Sequence, residues 1–84
     1  MTVGQRLGKV IYFFSKISVA EVKVVNTIRL GDKIKIIGPN TNITQEVRSM
    51  EIEHKKIQEA KPGDDIGLEV EERVPAGCCI FKAE

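Results

Sequence analysis

The sequence predicts an all-β domain, built as a small closed antiparallel β-barrel of about six strands. Apolar and charged residues alternate with a period of two in several short segments, which is typical of strands with one face in a core and one in water. Turn signals rich in glycine and proline separate these segments, and no stretch of roughly 10 to 15 residues has helical spacing. Closure into a barrel would leave few sheet edges exposed.

The first predicted strand is residues 8–14, which are β-branched and aromatic on both faces. We therefore expect this strand either to be covered on both faces or to lie against a partner. Residues 20–24, 33–36 and 66–71 alternate small or apolar residues with other, mostly charged ones, and each of these segments predicts a strand with one buried face.

Residues 46–56 predict one or two further strands, but the alternation within them changes phase. Val47 lies at an odd position, whereas Met50, Ile52 and His54 lie at even positions. A slip of one residue is what a β-bulge accommodates, and bulges bend strands at the corners of barrels. The sequence therefore predicts a bulge between Val47 and Met50.

Five turn signals punctuate the chain, at residues 15–18, 31–32, 38–42, 62–64 and 75–77. After the last of them, the apolar residues 78–81 predict the final strand. Residues 57–60 allow a short helix, which Pro62 would end. The predicted core consists of apolar residues on the inward faces: Val10, Val22, Val24, Ile34, Ile36, Met50, Ile52, Ile66, Leu68 and Val70.

The length of 84 residues predicts one domain over residues 1–84, too small for an enzyme with a cleft between two domains. The net charge of +1 is far from the strongly basic balance of a dedicated DNA-binding protein. Residues 1–42 contain seven basic and two acidic side chains, and residues 43–84 contain six and ten. This uneven distribution of charge along the chain predicts either a basic face that binds phosphate or RNA, or two halves that interleave and neutralise each other.

No catalytic, metal or nucleotide motif is evident in the sequence. His54 is the only histidine, and the adjacent Cys78 and Cys79 lie in an apolar segment and are too few for a four-ligand zinc site. Residues 4–9 lack the spacing of a phosphate-binding loop. We therefore expect a non-enzymatic protein with reduced thiols and no cofactor, metal or bound nucleotide.

The sequence shows neither a signal peptide nor a membrane span. The longest apolar run is residues 10–14, whereas a membrane-spanning helix needs about 20 apolar residues. We expect a cytoplasmic protein that does not contact a membrane.

Three segments together resemble the second, β-barrel domain of translational GTPases such as elongation factor Tu. They are Leu-Gly-Asp-Lys-Ile-Lys-Ile-Ile-Gly at residues 30–38, Val-Arg-Ser-Met at 47–50, and Glu-Ala-Lys-Pro-Gly-Asp-Asp-Ile-Gly-Leu at 59–68. Residues 8–10, 14–17 and 49–55 resemble more closely the barrel at the C-terminus of collagenase-like peptidases. The resemblance implies an accessory barrel that stands alone and does not hydrolyse GTP. In elongation factors this barrel packs against the nucleotide domain and helps to hold the aminoacyl end of tRNA.

Two functions follow as hypotheses. The first is a translation-associated module that binds tRNA or other RNA, through four lysines at expected outward positions: Lys9, Lys23, Lys33 and Lys35. The second is a protein-interaction module that docks on a separate, peptidase-like subunit, with Phe13 or Ile11 as its anchor. His54 is a further candidate for surface binding, on the partly covered edge of a strand.

Overall fold

The computed structural model describes residues 4–83 and contains ten short β-strands and no helix in that range, which confirms the all-β prediction. In chain order the strands are β1 (Arg6–Phe14), β2 (Val19–Val24), β3 (Ile28–Arg29), β4 (Lys33–Gly38), β5 (Thr41–Glu46), β6 (Met50–Ile52), β7 (Lys55–Ile57), β8 (Glu59–Ala60), β9 (Asp65–Glu69) and β10 (Cys79–Lys82). The structure has more strands than the six predicted, because strands of two or three residues are too short to show a period of two in the sequence. Within residues 4–83, no helix is long and apolar enough to span a membrane.

Eight of the strands form one antiparallel sheet in the order β5-β4-β10-β1-β2-β9-β6-β7, and β3 pairs with β8 in a second, small sheet. Consecutive strands pair in the β1–β2, β4–β5 and β6–β7 hairpins. β10 returns to lie between β4 and β1, and β9 lies between β2 and β6. Strands from both halves of the chain are therefore neighbours, so the basic and acidic halves interleave in part.

The sheet is not closed into a barrel, which corrects the prediction of a closed one. Its edges are β5 and β7, and no backbone ladder joins them in the described part of the chain. At the edge of β5, the buried Gln45 side chain donates a hydrogen bond to the carbonyl of Glu69 (3.0 Å) and accepts one from the amide of Glu71 (3.1 Å). A side-chain amide thus links β5 to the end of β9. β5 ends at Glu46, and residues 47–49 lead the chain away into β6.

The core agrees closely with the sequence prediction. Nine of the ten predicted inward residues are buried, and Ile52 is partly buried and packs against the same cluster. In the middle of the sheet, Leu68 is opposite both Ala20 and Met50, and none of the three is exposed to solvent. The period of two therefore identifies nine of the 18 buried apolar residues among residues 4–83.

The two Gly-Asp turns have the same hydrogen bonds, as their sequences predict. Gly31 and Gly63 have φ angles of 90° and 96°, a conformation that strains residues with a Cβ. The carboxylate of Asp32 accepts a hydrogen bond from the amide of Arg29, and the carboxylate of Asp64 accepts one from Lys61, both at 2.9 Å. Each aspartate thereby holds the turn that precedes an apolar strand.

The predicted bulge between Val47 and Met50 is wrong. β5 ends before Val47 and β6 begins at Met50, so a loop changes the phase of the alternation. The register shifts lie instead in β1, between Arg6 and Gly8 opposite β10 and between Val10 and Tyr12 opposite β2.

The short helix allowed at residues 57–60 is absent, because Ile57 pairs with Met50 and Ala60 pairs with Ile28. The turn signal at residues 38–42 is confirmed, because a tight turn at residues 39–40 joins β4 to β5. At residues 57–60 the tertiary pairing of strands overrides a weak local preference.

Candidate functional site

The four predicted RNA-binding lysines are distributed over three strands on the outer face of the sheet. Lys9 of β1 is directly opposite Lys23 of β2 and Cys79 of β10. Lys23 also forms an ion pair with Asp65 at 3.6 Å, so part of this charge is neutralised. Lys9 has no ion-pair partner among residues 4–83.

The other two lysines lie on β4. Lys33 is opposite Glu46 of β5, whereas Lys35 is opposite the half-buried Phe81 of β10. Phe81 is in turn opposite Arg6 of β1. This arrangement places an aromatic ring between two cations on neighbouring strands, a group that we call the cationic strip (Arg6, Lys35 and Phe81). The sequence analysis did not select Phe81, although the burial of Ile80 implies that its neighbour points outward.

An exposed apolar surface covers the β1–β2 hairpin. We call it the hairpin patch, and it comprises Ile11, Tyr12, Phe14 and Ile17, with exposed fractions between 42% and 64%. The register shift after Val10 turns Ile11 and Tyr12 outward, and the rings of Tyr12 and Phe14 stack edge to face with centroids 4.8 Å apart. The predicted anchor Phe13 packs against the core instead and offers less exposed surface.

Beside the hairpin patch lies a groove of about 580 Å³, which we call the acidic groove. Gly67 of β9 forms its floor, between Glu21 of β2 and Glu51 of β6 on the flanking strands. The apolar wall consists of Phe14, Ile17 and Val19. The lining includes five carboxylates and one lysine: Glu21, Glu51, Glu53, Asp65, Glu69 and Lys56.

His54 lies in the turn between β6 and β7, which corrects its predicted position on a strand. Glu53 and His54 both have left-handed backbone conformations, with φ angles of 51° and 67°, and join Ile52 to its partner Lys55 in a two-residue hairpin loop. His54 is exposed and lines the acidic groove. It therefore lies across the groove from the hairpin patch and is separate from the four lysines.

The two thiols are free and differ in burial. Cys78 is buried next to Gly38, and Cys79 is partly buried beside Lys9 on the outer face of the sheet. Within the part of the chain that the structure describes, no group of three or more His, Cys, Asp or Glu side chains is placed to hold a metal ion.

The sequence of this chain is related to that of a known protein family. The sequence profile of the peptidase family U32 C-terminal domain matches residues 5–80. The chain belongs to this family. An uncharacterised protease of Methanocaldococcus jannaschii is 39% identical over 76 residues, which are 89% of this chain and 19% of the protease. The profile describes the C-terminal domain of that family, so the chain matches only part of such a peptidase.

This U32 C-terminal domain is also similar to elongation factors, so both resemblances seen in the sequence are confirmed. Elongation factor 1-alpha of Ignicoccus hospitalis is 37% identical over 62 residues, which are 71% of this chain and 14% of the factor. Two crystal structures of the C-terminal domain of a Geobacillus thermoleovorans protein assigned to the U32 peptidases share the fold. Their TM-scores are 0.88 and 0.89 at 22% identity, and they cover 93% and 95% of this chain, and 99% and 93% of their own.

Proposed function

We propose that this U32 C-terminal domain is a non-catalytic docking module that binds a peptidase-like catalytic subunit through the hairpin patch. The observation that carries the proposal is the exposure of four bulky apolar side chains on a single hairpin. Contiguous apolar surface of this kind marks interaction sites, whereas isolated exposed apolar residues do not. The outer face of β1 lacks a cover among residues 4–83, which agrees with a strand that lies against a partner.

Membership of the U32 family supports a peptidase-like partner. In the Methanocaldococcus jannaschii protease the matched region is only 19% of the length, so most of that protein lies outside the domain. The hairpin patch is the surface on which we expect such a region to dock. Tyr12 and Phe14 are suitable anchors, because aromatic side chains dominate the binding energy of interfaces.

To test this proposal, the chain is mixed with a variant of the Methanocaldococcus jannaschii protease that lacks the matched region. Complex formation is followed by size-exclusion chromatography. We expect a complex that Phe14→Ser weakens by about tenfold or more, because an anchor ring contributes at least 1.4 kcal/mol or so. Leu30→Ser is a matched control, since Leu30 is 41% exposed and Phe14 is 42% exposed but Leu30 lies outside the patch. Equal affinity of the two variants, or no complex with the wild-type chain, would contradict the proposal.

RNA binding is a second candidate function, favoured by the cationic strip. Aromatic rings beside cations are the usual elements of single-strand binding surfaces, and Phe81 between Arg6 and Lys35 has this arrangement. The similarity to elongation factor 1-alpha agrees with this role. The net charge of +1 and the ion pair of Lys23 make it the weaker candidate.

Fluorescence anisotropy with a single-stranded RNA at low salt tests this second candidate. Three or four phosphate contacts predict a log–log salt slope of about −2 to −3, and the double variant Lys33→Glu/Lys35→Glu should remove most of it. No binding at about 100 μM protein would exclude the RNA hypothesis, since non-specific nucleic-acid binding is normally tighter than that.

A further inference from the structure

We propose that the acidic groove binds an extended, cationic polypeptide segment, with an apolar side chain over Gly67 and flanking Lys or Arg side chains on the groove carboxylates. The inference rests on the proposed docking function and deepens it, because the apolar wall of the groove belongs in part to the hairpin patch. It specifies the chemistry of the partner, which the hairpin patch alone does not.

The floor of the groove indicates close approach by another chain. Gly67 lies in the interior of β9, where glycine weakens a strand by roughly 0.5–1 kcal/mol relative to alanine. A Cβ built at this position would approach Val19 Cγ1 to 3.1 Å and would cover the floor. Glycine inside a strand is typical of positions where a ligand or another backbone comes close. The Val19 side chain already lies close to this point, so an apolar group of the partner would pack on Val19.

The charges around the floor select a cationic partner. Glu51 is paired with Lys56 at 3.3 Å, and Asp65 is paired with Lys23 at 3.6 Å. The other three groove carboxylates have no ion-pair partner among residues 4–83, and they are Glu21, Glu53 and Glu69. They surround an apolar wall, so an apolar segment with two or three positive charges matches both properties of the groove. Polyanions such as RNA are repelled by the same carboxylates.

The dimensions and backbone of the groove suit a short segment. Its volume of about 580 Å³ lies within the roughly 300–1,000 Å³ typical of ligand sites. The wall opposite the hairpin patch is the tight turn at Glu53 and His54, whose left-handed backbone is fixed by the β6–β7 pairing. A wall held in this way reduces the conformational entropy lost on binding.

The experiment titrates the ¹⁵N-labelled chain with the acetylated and amidated peptide Lys-Ser-Leu-Ser-Lys, whose lysines and leucine lie on one face of an extended backbone, and records amide chemical shifts by NMR. We expect shifts centred on Gly67 and Glu21 and an affinity that falls by about tenfold or more when NaCl is raised to about 0.5 M, because salt screens charge attraction. The matched peptide Glu-Ser-Leu-Ser-Glu should leave these amides unshifted. Equal shifts with both peptides, or none with the lysine peptide, would overturn the proposal.

Charge-reversal variants provide a second readout. Glu21→Lys/Glu69→Lys should weaken binding of the lysine peptide by about tenfold or more, while Glu46→Lys/Glu72→Lys makes the same change in net charge outside the groove and should bind like the wild type. If the first variant does not fold, the salt titration of the wild-type chain shows whether charge attraction binds the lysine peptide. Shifts of the groove amides with protein concentration alone would assign the groove to a second copy of this chain and overturn the proposal.

The outcomes separate this inference from the proposed function. If the truncated protease binds the Glu21→Lys/Glu69→Lys variant as tightly as the wild type but does not bind Phe14→Ser, the docking function stands and the charged groove has no part in it. If Phe14→Ser still binds the protease and the lysine peptide still shifts Gly67, the docking function fails and the groove remains a peptide site.

Discussion

At the scale of single residues, the most unusual feature is the turn between β6 and β7. Glu53 and His54 both adopt positive φ angles, which cost a residue with a Cβ roughly 1–2 kcal/mol each. Two-residue hairpin loops of this kind normally contain Asn-Gly, because those residues tolerate the left-handed conformation. The chain therefore keeps a strained turn at the edge of the acidic groove, and strain of this kind is common at functional sites.

Replacing this turn by Asn-Gly should stabilise the protein. The double variant Glu53→Asn/His54→Gly should raise Tm by about 5–10 °C, because glycine removes roughly 1–2 kcal/mol of strain at position 54 and asparagine tolerates the left-handed conformation at position 53. Thermal unfolding followed by circular dichroism measures the change. Glu72→Asn, a change at an exposed residue outside the turn, should leave Tm nearly unaltered. An unchanged or lower Tm for the double variant would show that the turn is not strained.

At the scale of elements, the link between β5 and β9 depends on one side chain. Gln45 is only 5% exposed, and its amide bonds to the backbone at Glu69 and Glu71 across the seam of the sheet. Because no strand pairing joins the two elements, we expect the sheet to open first at this seam.

Removal of the amide should open the seam without unfolding the protein. Gln45→Met keeps the volume but leaves two backbone groups without their partner, which should cost about 1–3 kcal/mol. Native-state hydrogen exchange should show faster exchange of the Glu71 amide. Thr44→Val changes an exposed residue on the other face of β5 and should not alter that rate. Unchanged Glu71 exchange in Gln45→Met would mean that other contacts hold the seam.

At the scale of the whole molecule, one core holds all the strands of the main sheet together. Ile36 is opposite Ile43 and Ile80, and Leu68 of β9 belongs to the same core cluster. A domain of this size has a net stability of only roughly 4–13 kcal/mol, so each fully buried side chain supplies a large share. The surfaces proposed for binding on the outer face depend on this core for their positions.

Truncation of these core residues should be strongly destabilising. Leu68→Ala and Ile36→Ala should each lower the free energy of unfolding by roughly 2–5 kcal/mol, because burial is lost and a cavity remains. Chemical denaturation measures the loss. Val25→Ala changes a residue that is 41% exposed and should cost less than about 0.5 kcal/mol. A loss below about 1 kcal/mol at Leu68 or Ile36 would place that residue outside the energetic core.

The sequence by itself determined the all-β class, the family and half of the buried apolar core. The period of two depends only on the geometry of a strand, so Val22, Ile34 and Ile66 are identified as inward residues without knowledge of their partners. The Gly-Asp turns are equally local, because the glycine φ angle and the aspartate hydrogen bond both arise within four residues.

Only the tertiary structure decided the open sheet, the short strands and the surfaces proposed for binding. Closure depends on whether two edges distant in sequence meet, and alternation contains no information about that pairing. The register shift after Val10 determines that Tyr12 rather than Phe13 faces outward, and strand order determines that Gly67 lies between Glu21 and Glu51. These relations connect residues far apart along the chain, so they exist only once the strands have paired.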